Sequence, residues 1–557
     1  MTYAPDNALI IQSDRSVLLE VHSPRADEAR TAISPFAELV KSPEHIHTYQ
    51  ISPLSIWNAR AAGLSITQMI DALHSHAKYP MPEAVAQDIL TLGERYGLTA
   101  IERDGDDLRL TMADIPLAEL LSRNDGVAKL VEVRLSPTTF RISVGHRGLL
   151  KQALLAAGYP AEDLAGYESG AALPLSLRQE TLGGLPFALR DYQKAAAAAF
   201  YQAGAVRGGS GVIVLPCGAG KTMVGLAAIV AVQENTLILT SSLTSVRQWQ
   251  REILDKTSLG EEAIAEYSGA VKNTAPITLA TYQILSYRRQ KDGDFPHFEL
   301  FNARAWGLII YDEVHLLPAP VFRVTAELQA RRRLGLTATL IREDGHEGDV
   351  FTLIGPKRYD VPWRELEGRG FIAAAECTEI RVPQDPDEQM AYALAPKRQQ
   401  FRIAAENPRK ISVVKDLLTQ QADHRVLIIG EYLDQLAAIA AAIGLPLITG
   451  KTPQSEREQR YQDFREGTVR GMILSRVGNF ALDLPDADVL IQVSGKYGSR
   501  QEEAQRLGRV LRPKADGRSA QFYTLVSLRT CEEDFARHRQ LFLAEQGYSY
   551  KIQVLKD

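Results

Sequence analysis

The sequence predicts an α/β protein with two parallel-sheet domains in tandem, preceded by mixed α+β segments. Two observations carry that expectation. From residue 211 short apolar runs alternate with helical stretches: GVIVLP (211–216), NTLILTS (235–241), PITLAT (276–281), WGLIIYDE (306–313) and RLGLTAT (333–339). This is the rhythm of strands joined by crossover helices. The rhythm then restarts at HRVLIIG (424–430), LPLITG (445–450), RGMILSR (470–476), ADVLIQVS (487–494) and SAQFYTLVS (519–527). Between the two series lies GPKRYDVPWRELEGRGFI (355–372), rich in Gly, Pro and charge, which reads as the join.

The earlier chain has a different texture. ALIIQSDRSVLLE (8–20) reads as two short strands around a turn at Ser13-Asp14-Arg15. From about 24 to 98 the pattern is helical, as in ITQMIDALHSHAKY (66–79) and MPEAVAQDILTLGERY (81–96), the second with Pro82 near its start. LTAIERDGDDLRLTMAD (98–114) reads as a hairpin, because Asp104-Gly105-Asp106 separates two alternating segments. VEVRLSPTTFRISV (131–144) reads as a strand pair around Pro137. No chemical constellation stands out before residue 180. The alanine run 195–199 lies in a helix-favouring context. The expected segments are 1–98, 99–182, 183–365 and 366–557, the last with an insertion near 383–410.

Composition narrows the class. The hydrophobic content of 45% and charged content of 24% suit a globular protein. The three cysteines, Cys217, Cys377 and Cys531, are far apart, which argues against a zinc site, a cysteine-ligated cluster or a disulfide framework. A reducing, cytoplasmic setting fits. The first residues carry Asp6 and Asp14 and lack the basic start and apolar core of a signal peptide. No run of eighteen apolar residues occurs, so no membrane span is expected. A net charge of −5 neither requires nor excludes a nucleic-acid partner; local clusters decide.

Three motifs carry chemistry. LPCGAGKTMVGLAAI (215–229) follows an apolar strand and opens a helix, as a phosphate loop requires. Pro216, Cys217, Gly218, Ala219 and Gly220 form the loop. Its glycines let backbone N–H groups turn toward phosphate oxygens. Lys221 is expected on the β- and γ-phosphates of ATP, and Thr222 on Mg²⁺. Leu215 stands where the common pattern has Gly. In LIIYDEVHLLPAPVFR (308–323) the strand ends at Asp312 and Glu313, and ligands of such sheets gather at strand carboxyl ends. Asp312 is expected to hold Mg²⁺ through water, and Glu313 to act as general base for the attacking water. His315 either senses the γ-phosphate and signals to the next motif or is a satisfied structural histidine. In EEAQRLGRVLRPK (502–514), Gln505, Arg509 and Arg512 share one helical face. Arg509 and Arg512 can stabilise charge growing on the γ-phosphoryl oxygens. They belong to the second α/β domain, so ATP is expected between the two domains, with closure tied to nucleotide state. Upstream, LRDYQ (189–193) supplies Arg190 and Gln193, whose amide can meet the adenine edge.

These motifs, in this order, resemble superfamily 2 helicases, whose phosphate loop tolerates Leu at 215. The finer resemblance is to the XPB family of DNA repair and transcription helicases. It rests on GVIVLPCGAGKT (211–222), DEVHLLPAPVFR (312–323), LGLTATLIREDG (334–345), LIGPKRY (353–359), ALDLPDADVLIQVSG (481–495) and GSRQEEAQRLGRVLR (498–512). EHIHTYQISPLSIWNARAAGL (44–64) and RQLFLAEQGYSYKI (539–552) extend it, and it thins between about 100 and 180. The resemblance implies two RecA-like motor domains. It implies that Ser242, Gln248, Thr281 and Gln283 grip the backbone of a tracking DNA strand, with Arg476, Val477 and Gly478 doing so from the second motor domain. Thr337 and Thr339 would couple hydrolysis to strand movement, and Asp483 would link nucleotide and DNA. Arg342, Glu343 and Asp344 would form the family's Arg-Glu-Asp element, implicated in duplex opening. The stretch 383–410 would be a thumb-like element; its Lys397, Arg398 and Arg402 either touch DNA or face solvent. Residues 99–182 occupy the place of a damage-recognition-like domain.

The expected activity is therefore that of an ATP-dependent, 3′-to-5′ DNA helicase of DNA repair. It would act on single-stranded/duplex junctions without sequence preference, with a nuclease or repair protein as partner. The alternative is a DNA-stimulated translocase that remodels protein–DNA complexes and unwinds weakly.

Overall fold

A computed structural model describes residues 3–41, 45–216, 218–269, 271–288, 295–318, 321–322, 325, 328–329, 331–338, 347–361, 363–475, 487–495, 519–545 and 550–556. The chain divides into two compact units, the second made of Val361–Asp557 with the short segments Lys41–Glu44 and Pro216–Ala219.

The first unit carries three sheets. Strands β1 (Leu9–Ile11), β2 (Ser16–Glu20), β3 (Glu38–Lys41) and β4 (Ile46–Gln50) form the first, in the order β1-β2-β4-β3. The antiparallel β1–β2 pair matches expectation. The helical reading of 24–98 needs correction. Helices Ala26–Ile33, Pro53–Ala62, Ile66–His76 and Glu83–Glu94 are there, but β3 and β4 interrupt them. In β4 only His47 and Tyr49 turn inward, and polar residues between them blur the period-two signal.

The second sheet is β5 (Thr99–Asp104), β6 (Asp107–Met112), β7 (Val133–Ser136), β8 (Thr139–Ile142) and β9 (Glu162–Asp163), in the order β7-β8-β6-β5-β9. Both expected strand pairs form. Asp104 pairs with Asp107, which leaves Gly105 and Asp106 as a two-residue turn, and Gly105 has φ of 65°, as a tight hairpin turn demands. Ile101, Leu108, Leu110, Phe140 and Ile142 close over Leu150 and Leu154 of helix Arg147–Ala156.

The third sheet is wholly parallel. Its strands are β10 (Ser210–Val214), β11 (Thr236–Thr240), β12 (Ile264–Tyr267), β13 (Ile277–Thr281), β14 (Leu308–Asp312), β15 (Arg332–Thr337) and β16 (Lys357–Asp360). The order is β12-β13-β11-β14-β15-β10-β16. Buried residues such as Val212, Leu237, Ile309 and Tyr311 fill one face. The chain leaves β10 and returns at β11, three positions across the sheet. That jump brings the carboxyl ends of β10, β15 and β14 side by side, at a switch point where ligands of such sheets bind. β16 is a further correction: the first four residues of the expected join after Pro356 are a strand beside β10, and Trp363–Gly368 is helical.

Polar contacts tie these sheets together. Arg147 and Lys151 surround Asp163, at 2.7 and 3.0 Å, and Lys151 also donates to Gln329 Oε1 at 3.0 Å. Burial alone would raise the Asp163 pKa, but the two cations hold it well below the usual carboxylate range. The Lys357 N–H donates to Asn58 Oδ1 at 2.8 Å, and Arg358 donates to the Ala61 carbonyl at 3.1 Å. Helix Pro53–Ala62 is thereby fixed to β16.

The second unit holds another parallel sheet: β17 (Ala375–Val382), β18 (Val426–Ile429), β19 (Leu447–Ile448), β20 (Gly471–Leu474), β21 (Val489–Gln492), β22 (Ala520–Ser527) and β23 (Tyr550–Val554). The order is β19-β20-β18-β21-β22-β17-β23. Within 383–410 lie helices Pro386–Leu394 and Lys397–Ala405. Lys397 and Arg398 are exposed, while Arg402 pairs with Glu406 and Asp434 at 2.9 and 2.6 Å. Among the described residues no helix is long and apolar enough to cross a membrane.

Candidate functional site

The site is built where β10, β14 and β15 end. Leu215 N–H donates to the Thr337 carbonyl at 3.0 Å, so the chain leaves β10 still paired with β15. It then turns through the loop to helix Lys221–Val232. Gly218 and Gly220 both have φ of 81°, a conformation other residues adopt at a cost. Gly220 is confined sterically too. A Cβ there would meet Gln193 Nε2 at 2.6 Å. The loop therefore presents backbone N–H groups at a helix start, the arrangement that attracts phosphate. Pro216 and Ala219 are buried beneath it, and Thr222 is half-buried in the first turn. Cys217 lies outside the described residues.

Lys221 Nζ stands 3.1 Å from Glu313 Oε1. Glu313 follows β14 with φ of 53°, a conformation a non-glycine residue adopts only when its surroundings enforce it. Burial would raise the Glu313 pKa, but the Lys221 ammonium, then His315 and the Ala338 backbone, bring it below the ordinary value. Glu313 is thus ionised at neutral pH, the state a general base needs. Its neighbour is the opposite case. Burial and the Glu313 charge push the Asp312 pKa up, against a hydrogen bond from Trp249. Trp249 Nε1 donates to Asp312 Oδ2 at 3.0 Å, and Tyr282 Oη donates to the Asp312 carbonyl at 2.8 Å. Burial holds the Tyr282 pKa well above its ordinary value, so it remains a donor.

His315 Nδ1 lies 2.8 Å from Thr337 Oγ1 and 3.5 Å from Glu313 Oε2. The chain Lys221–Glu313–His315–Thr337 thus connects the loop, the end of β14 and the end of β15. The bond to Thr337 joins His315 to the next motif and also satisfies its buried imidazole, so it suits both readings of this residue; Thr339 lies outside the described residues.

Gln193 is buried beside the loop. Its Oε1 accepts from the Arg190 N–H at 2.9 Å, closing the first turn of helix Asp191–Tyr201, and its amide nitrogen faces Gly220. Arg190 donates to Tyr192 Oη at 3.2 Å.

Ser242 and Thr281 are helix caps. Ser242 Oγ accepts from Ser245 N–H at 3.2 Å, and Thr281 Oγ1 accepts from Ile284 N–H at 3.3 Å. The two caps begin neighbouring helices, because Thr240 of β11 pairs with Thr281 of β13. Gln248 and Gln283 are exposed on those helices. Arg342, Glu343, Asp344, Arg476, Val477, Gly478, Asp483, Gln505, Arg509 and Arg512 lie outside the described residues. Trp249 and Tyr282 are site residues that sequence reasoning missed. Their partner Asp312 is distant in sequence, so no local spacing announces them.

A parallel sheet with a phosphate loop, an acidic strand end and an ion-paired loop lysine defines a RecA-like nucleotide-hydrolysing motor. Comparison with known proteins narrows this. A model described as ERCC3/RAD25/XPB C-terminal helicase matches residues 366–556. A helicase conserved C-terminal domain model matches 9–136, and one for the type III restriction enzyme res subunit matches 186–342. The chain is 51% identical over 553 residues to a DNA 3′-5′ helicase XPB of Mycobacterium tuberculosis, covering 99% of this chain and 98% of that one. A protein of the same name from Kineococcus radiotolerans is 51% identical, over 98% and 96% of the two chains. The general transcription and DNA repair factor IIH helicase/translocase subunit XPB/SSL2 of Saccharomyces cerevisiae is 31% identical, over 98% and 72%. The chain belongs to the XPB family of DNA helicases.

Proposed function

We propose that the chain is an ATP-dependent DNA helicase moving 3′-to-5′, whose hydrolytic switch is the exchange of Lys221 between Glu313 and phosphate. The observation that carries this is the 3.1 Å pair between the loop lysine and the strand-end carboxylate. A triphosphate on the loop competes with Glu313 for the ammonium. Once Lys221 moves to the phosphates, the Glu313 carboxylate is released to take a proton from water attacking the γ-phosphorus. Loop N–H groups and the helix start hold the phosphates, and Gln193 with Arg190 flanks the base.

The donor set fits a magnesium ion carried by the nucleotide. The Thr222 hydroxyl and, through water, the Asp312 carboxylate would hold it, oxygen ligands of the kind this ion prefers. Among the described residues no group of three or more His, Cys, Asp or Glu is gathered to hold a metal by itself. The bound ion supplies charge neutralisation on the phosphoryl oxygens. From the second parallel-sheet domain, Arg509 and Arg512, with Gln505, would meet the growing γ-phosphoryl charge.

The capped segments at Ser242 and Thr281, with Gln248 and Gln283, are read as the grip on a DNA backbone, joined by Arg476, Val477 and Gly478. Backbone contacts carry no base code, so binding is sequence-independent. Arg342, Glu343 and Asp344 are read as the duplex-opening element, and Asp483 as a link between nucleotide and DNA. Segments 1–98, 99–182, 183–365 and 366–557 remain the proposed layout. A cytoplasmic repair role, with a nuclease or repair protein as partner, belongs to the same proposal; the yeast relative's name, a subunit of a DNA repair factor, favours the repair part of it.

The test is ATP turnover with and without single-stranded, forked and duplex DNA, and with RNA, at fixed salt. Wild type is expected to be stimulated by DNA. Lys221→Ala and Glu313→Gln should each lower stimulated turnover by at least about a hundredfold, the usual effect of losing a base or a phosphate clamp. Ordinary turnover in either variant would refute the site. Triplex displacement without fork unwinding would favour a translocase.

A further inference from the structure

Asp312 is fixed from two sides by side chains outside the phosphate loop and the acidic strand end. Trp249 holds its carboxylate at 3.0 Å and Tyr282 its carbonyl at 2.8 Å. Both rings are buried, at 1% and 4% exposure, so neither contact is a passing surface encounter. What sets these donors apart is where they stand. Trp249 lies in helix Leu243–Lys256, which Ser242 caps. Tyr282 opens helix Tyr282–Leu285, which Thr281 caps. The exposed Gln248 directly precedes Trp249, and the exposed Gln283 directly follows Tyr282. Each segment read as a DNA grip therefore turns one polar residue outward and the adjacent aromatic donor inward, onto the same aspartate.

The indole has little room. Gly225, in the helix that Lys221 opens, lies so close that a Cβ there would collide with the Trp249 ring. A displacement of helix Leu243–Lys256 would therefore press the ring on the loop helix and pull on its bond to the Asp312 carboxylate. A displacement of Tyr282 would act on the backbone of the same residue, at the end of β14. Packed interiors transmit such shifts because they contain little free volume.

We propose that Trp249 and Tyr282 are positioning residues through which the two strand-gripping segments set Asp312, so that engagement of nucleic acid is read at the site of hydrolysis. This rests on the DNA-gripping role given above to the Ser242 and Thr281 segments. Neither side chain touches nucleotide or DNA in this scheme. Each supplies a donor whose position depends on its helix.

The experiment uses the full-length chain with Trp249→Phe and Tyr282→Phe, which delete a donor and keep a ring. ATP turnover is measured with and without oligothymidylate, giving kcat and the KM for ATP. DNA affinity comes from fluorescence anisotropy, and melting temperature is recorded for each variant. The expected result is a fall of about tenfold in DNA-stimulated kcat relative to basal kcat, equivalent to about 1.4 kcal/mol. DNA affinity and KM should stay within about twofold, since binding contacts are untouched. A purely structural role would lower basal and stimulated rates in proportion and leave their ratio at the wild-type value; that result in both variants overturns the proposal. So does a loss of DNA affinity as large as the loss of stimulation. If Trp249→Phe does not fold, Tyr282→Phe, which lacks only one oxygen, decides alone. Absence of DNA stimulation in wild type would sink the helicase reading itself, and this inference with it; stimulation in wild type with unchanged ratios in the variants sinks the inference only.

Discussion

His315 shows how much one side chain can connect. Its Nδ1 is 2.8 Å from Thr337 Oγ1, and its ring is 3.5 Å from the carboxylate that neutralises Lys221. A change at Glu313 therefore reaches the end of β15 through a single imidazole. Thr337→Val keeps the shape at position 337 and removes only the hydroxyl. The net loss of such a hydrogen bond is about 1 kcal/mol, so the fold should survive. ATP turnover is expected to remain within about threefold, because a residue that contacts neither base nor phosphate does not set the chemical step. Strand separation per ATP hydrolysed should fall about tenfold, measured on a fluorescent fork beside a coupled ATPase assay. Equal losses in the two assays would remove Thr337 from the coupling role. At this scale the motif residues were legible, because a phosphate loop and an acidic strand end are contiguous in sequence. Trp249 and Tyr282 were not, since their value comes only from tertiary proximity to Asp312.

Strands divide by position in their sheets. The apolar central strands β10, β11, β14, β15, β18 and β21 stand out in the sequence because both of their faces are covered. The strands that escaped notice are mostly edges. β12 and β16 border the first parallel sheet, β23 borders the second, and β3 borders the N-terminal one. Edge strands are short or polar, as Lys357–Asp360 and Tyr550–Val554 are, and such polarity discourages pairing between molecules. β4 escaped because His47 occupies an inward position. That histidine carries a consequence for pH. Burial, aided by the Arg30 charge, lowers its pKa from 6.5 to about 4. A depressed pKa means that the folded state binds fewer protons than the unfolded chain between those values. The contribution to stability is complete above pH 6.5 and lost as pH falls to about 4. At 1.36 kcal/mol per unit the loss is roughly 3 kcal/mol. Calorimetry at pH 7 and pH 4 should find a stability difference about that much larger in wild type than in His47→Gln. The same pH sensitivity in both proteins would show that His47 does not titrate as its burial requires.

A protein of net charge −5 that works on a polyanion cannot rely on its overall field. Its hold must come from local, short-range donors, and those proposed above, Ser242, Thr281, Gln248 and Gln283, are neutral. Neutral hydrogen bonds to phosphate displace few counterions, whereas each lysine or arginine that neutralises a phosphate displaces nearly one. Arg247 and Arg251 are exposed on the helix that Ser242 caps, so a small ionic component is expected. The plot of log affinity for single-stranded DNA against log salt should therefore have a shallow slope, between about −1 and −3, at about −0.7 per neutralised phosphate. Oligonucleotides of different sequence should share that slope, because backbone contacts do not read bases. DNA-free ATP turnover should change little over the same salt range, since its charges are buried and poorly screened. Anisotropy titrations at several salt concentrations, run beside the ATPase assay, give all three quantities. A slope steeper than about −6 would instead indicate a long basic track, and the neutral caps would then no longer account for how the strand is held.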